Sequence, residues 1–176
     1  NETLLGDLTI DVVGNDDLTE YSVNTKLTDE GNHQSLTALG TINFSKSNSK
    51  MDVDLELDRF NIEEFSALGG IVVSNIRGYL FGNAKISGSF KKPSIDGALS
   101  LSKAGLTVPY LNVDLDFEEG SRILLEKQRF NFDNIEVTDT KYNTTGILGG
   151  YIAHRQFSKW EMGLDLIAND RLLVLD

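Results

Sequence analysis

Residues 51–58 read MDVDLELD, and this octet decides the fold. Met51, Val53, Leu55 and Leu57 alternate without error with Asp52, Asp54, Glu56 and Asp58. A β-strand turns successive side chains to opposite faces, so this order makes one face wholly apolar and the other wholly acidic; a helix would smear the same residues around its axis. Residues 111–118, LNVDLDFE, repeat the device, with Leu111, Val113, Leu115 and Phe117 set against Asn112, Asp114, Asp116 and Glu118. In residues 160–169, Trp160, Met162, Leu164, Leu166 and Ala168 oppose Glu161, Gly163, Asp165 and Asn169, and only Ile167 is out of step.

Weaker windows of the same period run from Leu8 to Val12, Tyr21 to Leu27, Leu36 to Phe44, Ile95 to Leu101, Ile123 to Leu125, Phe130 to Val137 and Gly146 to Ile152. Turn-forming clusters separate them: Gly14 to Asp16, Asp29 to Asn32, Ser47 to Ser49 and Glu119 to Ser121. This spacing predicts an all-β chain, an antiparallel meander of about a dozen strands. One short helix is expected over Ile62 to Leu68, with Glu63 and Glu64 in its first turn and Gly69 and Gly70 as its stop. From Ile76 to Phe90 the apolar positions include Gly78, Gly82, Ala84 and Gly88, and Gly146 and Gly150 do the same later. Small residues on one face let a sheet bend toward that face, so a curved sheet is expected rather than a flat one.

The 176 residues suit a single domain, 1–176, with 40% hydrophobic and 24% charged residues and 16 Gly against 2 Pro. Asn1 opens the chain without Met, and the chain stops on the apolar run Arg171 to Asp176. Both ends are expected to be cuts in a longer repeating sheet. The net charge of -11 argues against nucleic acid, which needs gathered Lys and Arg, and it repels an anionic membrane surface. With no Cys there is neither a disulfide nor a thiolate metal site.

Catalytic signatures are missing: there is no nucleophile elbow, phosphate loop, dinucleotide fingerprint or zinc helix. His33 and His154 stand alone and read as ordinary surface or strand histidines, so no metal, cofactor or catalytic residue is expected. Asp52 to Asp58 lacks the glycine of a calcium loop, and Asp114 and Asp116 share an outward face, which suits solubility. Three Asn-X-Ser/Thr triplets begin at Asn1, Asn43 and Asn143, as chance allows in so polar a chain. Lys91 and Lys92 beside Pro93 read as a turn, and Tyr79 and Phe81 point away from the apolar face of their strand.

One stretch carries a family resemblance. Ile86, Ser87, Gly88 and Ser89, followed by Pro93, Ile95, Gly97, Leu99 and Leu101, resembles a pattern recurring in the TamB family, the inner-membrane component of the translocation and assembly module. The flanks agree: Val53 to Phe60 with Phe65 to Gly69 before it, and after it Val108 to Leu111, the strand from Gly146 to His154, Phe157 with Trp160, and Asn169 to Leu175. The likeness covers residues 51–176; residues 1–50 match in amphipathic style alone. It implies an open, taco-like β groove with an apolar interior, part of a periplasmic bridge in a Gram-negative bacterium, anchored in the inner membrane. It further implies a role in outer-membrane protein assembly beside an Omp85-type barrel partner and in phospholipid transport. The cargo so implied is phospholipid acyl chains or unfolded outer-membrane β-strands.

The residues expected to line such a groove are Val53, Leu55, Leu57, Leu80, Ile86, Phe90, Leu99 and Leu101 in the first half. Val113, Leu115, Phe117, Leu148, Ile152, Trp160, Met162, Leu164 and Leu166 complete it. Alternation alone leaves three ways to cover an apolar face: a second sheet, a closed barrel, or a ligand with hydrocarbon chains. A compact β-sandwich interaction module without lipid cargo is the alternative reading; an outer-membrane barrel fragment fits less well, because the aromatics form no girdles.

Overall fold

The computed structural model describes residues 6–44, 49–63, 66, 73–155 and 158–168, the side chains of Ser158 and Trp160 excepted. Each of the eleven alternating windows holds a strand. In chain order these are β1 (Asp7–Gly14), β2 (Glu20–Thr28), β3 (Gln34–Asn43), β4 (Lys50–Asn61), β5 (Ser74–Ser89) and β6 (Lys92–Val108). They continue as β7 (Val113–Phe117), β8 (Arg122–Glu126), β9 (Arg129–Asp139), β10 (Thr144–Arg155) and β11 (Ser158–Ala168). All lie in one sheet, ordered β1 to β7 and then β9, β10 and β11, with β8 between β6 and β9. Every pairing is antiparallel.

β7 and β8 share one rung. β7 pairs with Gly105–Val108 of β6, β8 pairs with Gly97–Ser100, and both pair with β9. The turn between them stays bonded to β6: Gly120 N donates to Leu101 O at 2.9 Å, and Leu101 N to Ser121 O at 2.8 Å. β1 and β11 do not pair with one another, so the sheet is open, and the described residues form no second sheet. Among the described residues neither a closed barrel nor a separate covering sheet hides the apolar face.

The register explains why that face is continuous. Leu57 pairs in one direction with Leu36, Leu27 and Leu8, and in the other with Gly82, Leu99, Ile123, Phe132, Gly150 and Leu164. The next row joins Ile10, Thr25, Ala38, Leu55, Ala84, Gly97, Leu125, Phe130, Ile152 and Met162. Directly paired residues share a face, so the alternation of each strand is carried across ten of them without a break.

Two features of the kind that let a sheet bend are present. Gly82 has φ +129° and a Cβ there would lie 2.4 Å from Ala98 O; Gly150 has φ +112° and a Cβ would lie 2.1 Å from Gly163 O. Both sit in the Leu57 row, where only glycine tolerates that backbone and so close a neighbouring strand. The second device is the bulge. Arg59 in β4, Lys103 in β6 and Asn134 in β9 have φ near +50°, each at a shift in register where two residues oppose one. The Lys103 bulge also resets parity. Without it Lys103 would face the apolar side, whereas Ala104 occupies that side and is buried.

The core has two parts. Leu99, Leu101, Ala104, Ile123 and Leu125 form one with Ile62, Ala84 and Ile95; Val113, Leu115, Ile135, Val137 and Leu148 form the other. The helix expected over residues 62–68 falls mostly outside the described residues. Of those described, Ile62 is buried and donates its N–H to Gly78 O at 3.0 Å, and Ser66 Oγ donates to Ile76 O at 3.1 Å, so these two residues lie against the start of β5. The helical turn that is described lies at Pro109–Leu111. It corrects the window that began at Leu111: Pro109 opens the turn, Asn112 leaves it in the left-handed region at φ 51°, and β7 starts only at Val113. Asn1, Phe157 and the run from Arg171 to Asp176 lie outside the described residues.

Candidate functional site

The candidate site is the apolar face, and its residues differ sharply in access. Leu99, Leu101, Val113, Leu115 and Leu148 are buried by the protein itself, none more than 9% exposed. They form the core rather than a surface that a ligand meets. Val53, Leu55, Leu57, Leu80, Ile86, Phe117, Ile152 and Leu166 are half-buried. Met162 at 49% and Leu164 at 38% are open to solvent on the last strand. Phe90 lies past the end of β5 in the turn to β6, 42% exposed, with its ring stacked on Phe44 at 5.4 Å. The side chain of Trp160 lies outside the described residues.

The other flank is one that the sequence does not single out. Leu8, Ile10 and Val12 on β1 are between 54% and 60% exposed and continue the rows that pass through Leu57, Leu55 and Val53. Their alternation is legible, but nothing in the sequence marks β1 as an edge. The same edge logic separates Leu164 from Leu99: both sit in one row, and among the described residues Leu164 has no strand on its far side.

One carboxylate interrupts the apolar side. Asp139 pairs with Leu115 and Thr144, is 1% exposed, and accepts the Lys141 N–H at 3.0 Å through Oδ1. Its Oδ2 has no hydrogen-bond partner among the described residues, and the residue borders a cavity of about 10 Å³ with Leu115, Val137 and Leu166. That volume is close to one water molecule. An Asp at a strand end commonly ties down the turn that follows, and the bond to Lys141 N does so here.

The acidic outer face is structural. Lys85 Nζ meets Asp52 at 2.6 Å and Asp54 at 3.4 Å, so two of the MDVDLELD carboxylates pair with the ammonium group of a lysine on the next strand. Asp114 accepts from Arg77 Nη1, Thr107 Oγ1 and Thr140 Oγ1, each at 2.9 Å, and Arg77 Nη2 donates to Asp116. Partial burial pushes the Asp114 pKa up, but the two threonines and Arg77 outweigh it and hold the carboxyl below its usual value. Gly105 makes the Arg77 bridge possible: a Cβ there would lie 2.6 Å from both Arg77 Cζ and Asp116 Oδ1. Arg77 is not recognisable from sequence, because the pairing depends on a bulge at Asn75 and Ile76.

The two histidines have separate fates. His33 Nε2 lies 3.3 Å from Asp58 Oδ2 on the surface. His154 is buried at 3% exposure in β10, its ring 5.8 Å from Phe130, and desolvation lowers its pKa. It is a core histidine of a strand. The outward aromatics pack locally as well: Arg59 covers the Tyr79 ring at 5.4 Å. Among the described residues no group of His, Asp and Glu is placed to hold a metal ion.

Compared with protein-family models, with curated proteins and with solved structures, the chain matches none.

Proposed function

We propose that the apolar face binds hydrocarbon chains and that the chain is a segment of a TamB-like periplasmic protein supporting outer-membrane protein assembly and phospholipid transport between the two membranes. The observation that carries this reading is the open sheet whose apolar rows are left uncovered at both flanks by the described residues. Single exposed leucines are ordinary, but Leu8, Ile10 and Val12 at one flank and Met162 and Leu164 at the other are in register with a buried centre. Bent toward its apolar side by Gly82, Gly150 and the bulges, such a sheet makes a groove whose floor is core and whose walls are accessible.

The cargo is phospholipid acyl chains or an unfolded outer-membrane β-strand, and an Omp85-type barrel is the partner of the whole protein. The role proposed for this face is binding and passage. The rival reading, a compact interaction module with a dry core, draws support from the depth of Leu101, Leu115 and Leu148, which no ligand reaches without displacing protein. Lipid extraction from detergent-free protein, followed by mass spectrometry, separates the two. Stoichiometric phospholipid is expected here; protein that purifies dry and cannot be loaded from vesicles sinks the proposal.

A further inference from the structure

β1 is a bare edge. All eight of its residues are exposed, its register with β2 runs from Asp7 to Gly14 without a shift, and no strand lies beyond it among the described residues. Edge strands are ordinarily kept from pairing by Lys, Pro or a bulge, and DLTIDVVG has none of these. β11, the opposite edge, has Gly163 at its middle and Lys159 at φ 49° near its start, and both features weaken a ladder.

The hydrogen bonds show which groups β1 offers. Asn15 N donates to Glu20 O at 2.9 Å, one position beyond the pair of Gly14 and Tyr21. Bonded pairs alternate along an antiparallel ladder, so the odd-numbered residues of β1 bond to β2, and Leu8, Ile10 and Val12 turn their N–H and C=O groups outward. The same three side chains lie on the apolar side, between 54% and 60% exposed. Val13, 68% exposed, is an apolar group on the other side of the strand, in line with Asp7, Thr9 and Asp11.

We infer that β1 pairs antiparallel with β1 of a second copy of this chain, about a two-fold axis through Ile10. Directly paired residues share a face, so odd positions must meet odd ones and even positions even ones. Moving the axis to Thr9 sets Asp7 against the partner's Asp11, and moving it to Asp11 sets that carboxylate against its own equivalent. Centred on Ile10, no carboxylate faces another: Asp7 meets the partner's Val13, Thr9 the partner's Asp11 and Leu8 the partner's Val12. The outward groups of Leu8, Ile10 and Val12 then form about six backbone bonds across the axis. The pairing also joins the two apolar faces. The row through Leu57, Leu36, Leu27 and Leu8 continues into the partner's Val12, Val23, Gly40 and Val53, so two molecules present one continuous apolar surface. This inference goes beyond the hydrocarbon reading and does not depend on it.

Sedimentation equilibrium of the full chain provides the test. One strand pair is smaller than a permanent interface, so the mass should rise with concentration from 19.4 kDa toward twice that value and stop there. Val13→Lys sets an ammonium group against each Asp7 across the axis and should tighten the dimer about fivefold, whereas Val13→Asp should loosen it by about as much. Thr9→Asp meets Lys26 within its own sheet but the partner's Asp11 across the axis, so it should melt no lower than the parent and still lose the dimer. A parent that stays monomeric overturns the assignment. So does a mass that climbs past the dimer, as head-to-tail pairing of β1 with β11 would produce, or an association indifferent to the sign of the charge placed at Val13.

Discussion

Leu101→Asp and Leu164→Asp put the same carboxylate on the same face at two depths, and the contrast tests whether core and binding surface are separate. Leu101 is 4% exposed at the middle of β6. Losing its packing costs about 2–5 kcal/mol, as for other buried leucines. Burying an unpaired charge, or neutralising it by a raised pKa, adds several kcal/mol more. The sum approaches the whole stability of an ordinary domain, about 5–15 kcal/mol, so the variant should not fold. Leu164 is 38% exposed on the edge strand, and full burial of a leucine is worth only about 1.5–3 kcal/mol. Its replacement should cost about 1–2 kcal/mol on that scale, with the carboxylate still in water. Against a bound acyl chain the balance reverses. Each methylene in contact contributes about 0.8 kcal/mol, so one charge costing several kcal/mol offsets several carbons. Thermal unfolding by circular dichroism, paired with bound-lipid mass spectrometry, reads both effects. The expected result is no cooperative transition for Leu101→Asp, and a transition within several degrees of the parent but little lipid for Leu164→Asp. A Leu164→Asp protein that keeps its full lipid, or that fails to fold, would refute the separation.

Gly82→Ala forces a side chain onto φ +129° and into Ala98 O, so the urea midpoint should fall by the equivalent of about 2 kcal/mol or more. Gly105→Ala displaces Arg77 from Asp116; Asp116 is 54% exposed, so the loss should be about 1 kcal/mol, and it should largely vanish in an Arg77→Met background. Because burial lowers the His154 pKa, the unfolded chain takes up a proton near pH 6.5 that the native ring refuses. Stability should therefore decline as pH falls from 7 toward 5, and His154→Phe should flatten that decline in pH-resolved melting curves. Asp114 has the opposite charge but the same slope. With its folded pKa lowered, its contribution is complete above the unfolded carboxylate value and lost as pH falls through the folded one, so Asp114→Asn should soften unfolding below about pH 4.

The strands were legible because strict alternation suits little besides a half-buried strand: MDVDLELD lies wholly within β4, residues 160–168 lie within β11, and only the first two residues of LNVDLDFE fall in a turn, ahead of β7. The bulges were less so. Asp133 and Asn134 look like a lapse in the pattern between Phe132 and Ile135, whereas they are the extra residue that lets both apolar groups share a face. Depth was not legible at all. Leu99 and Leu164 have the same local sequence character, and what separates them is position in the sheet order, which only the register reveals. The Arg77 bridge depends on residues 37 and 39 positions apart meeting over a glycine, a relation that no local period encodes.

The sheet order also governs how the chain acquires its structure. Nearly every strand pairs with its predecessor in sequence, so pairing can extend one hairpin at a time with little loop closure at each step, and the outer hairpins can fray without disturbing the middle. The shared rung is the exception. β6 must wait for β8, and β7 for β9, so the segment from Lys92 to Asp139 closes as a unit or not at all. Slow hydrogen exchange should therefore concentrate there, giving an otherwise zipper-like sheet one cooperative block around which the rest opens and closes.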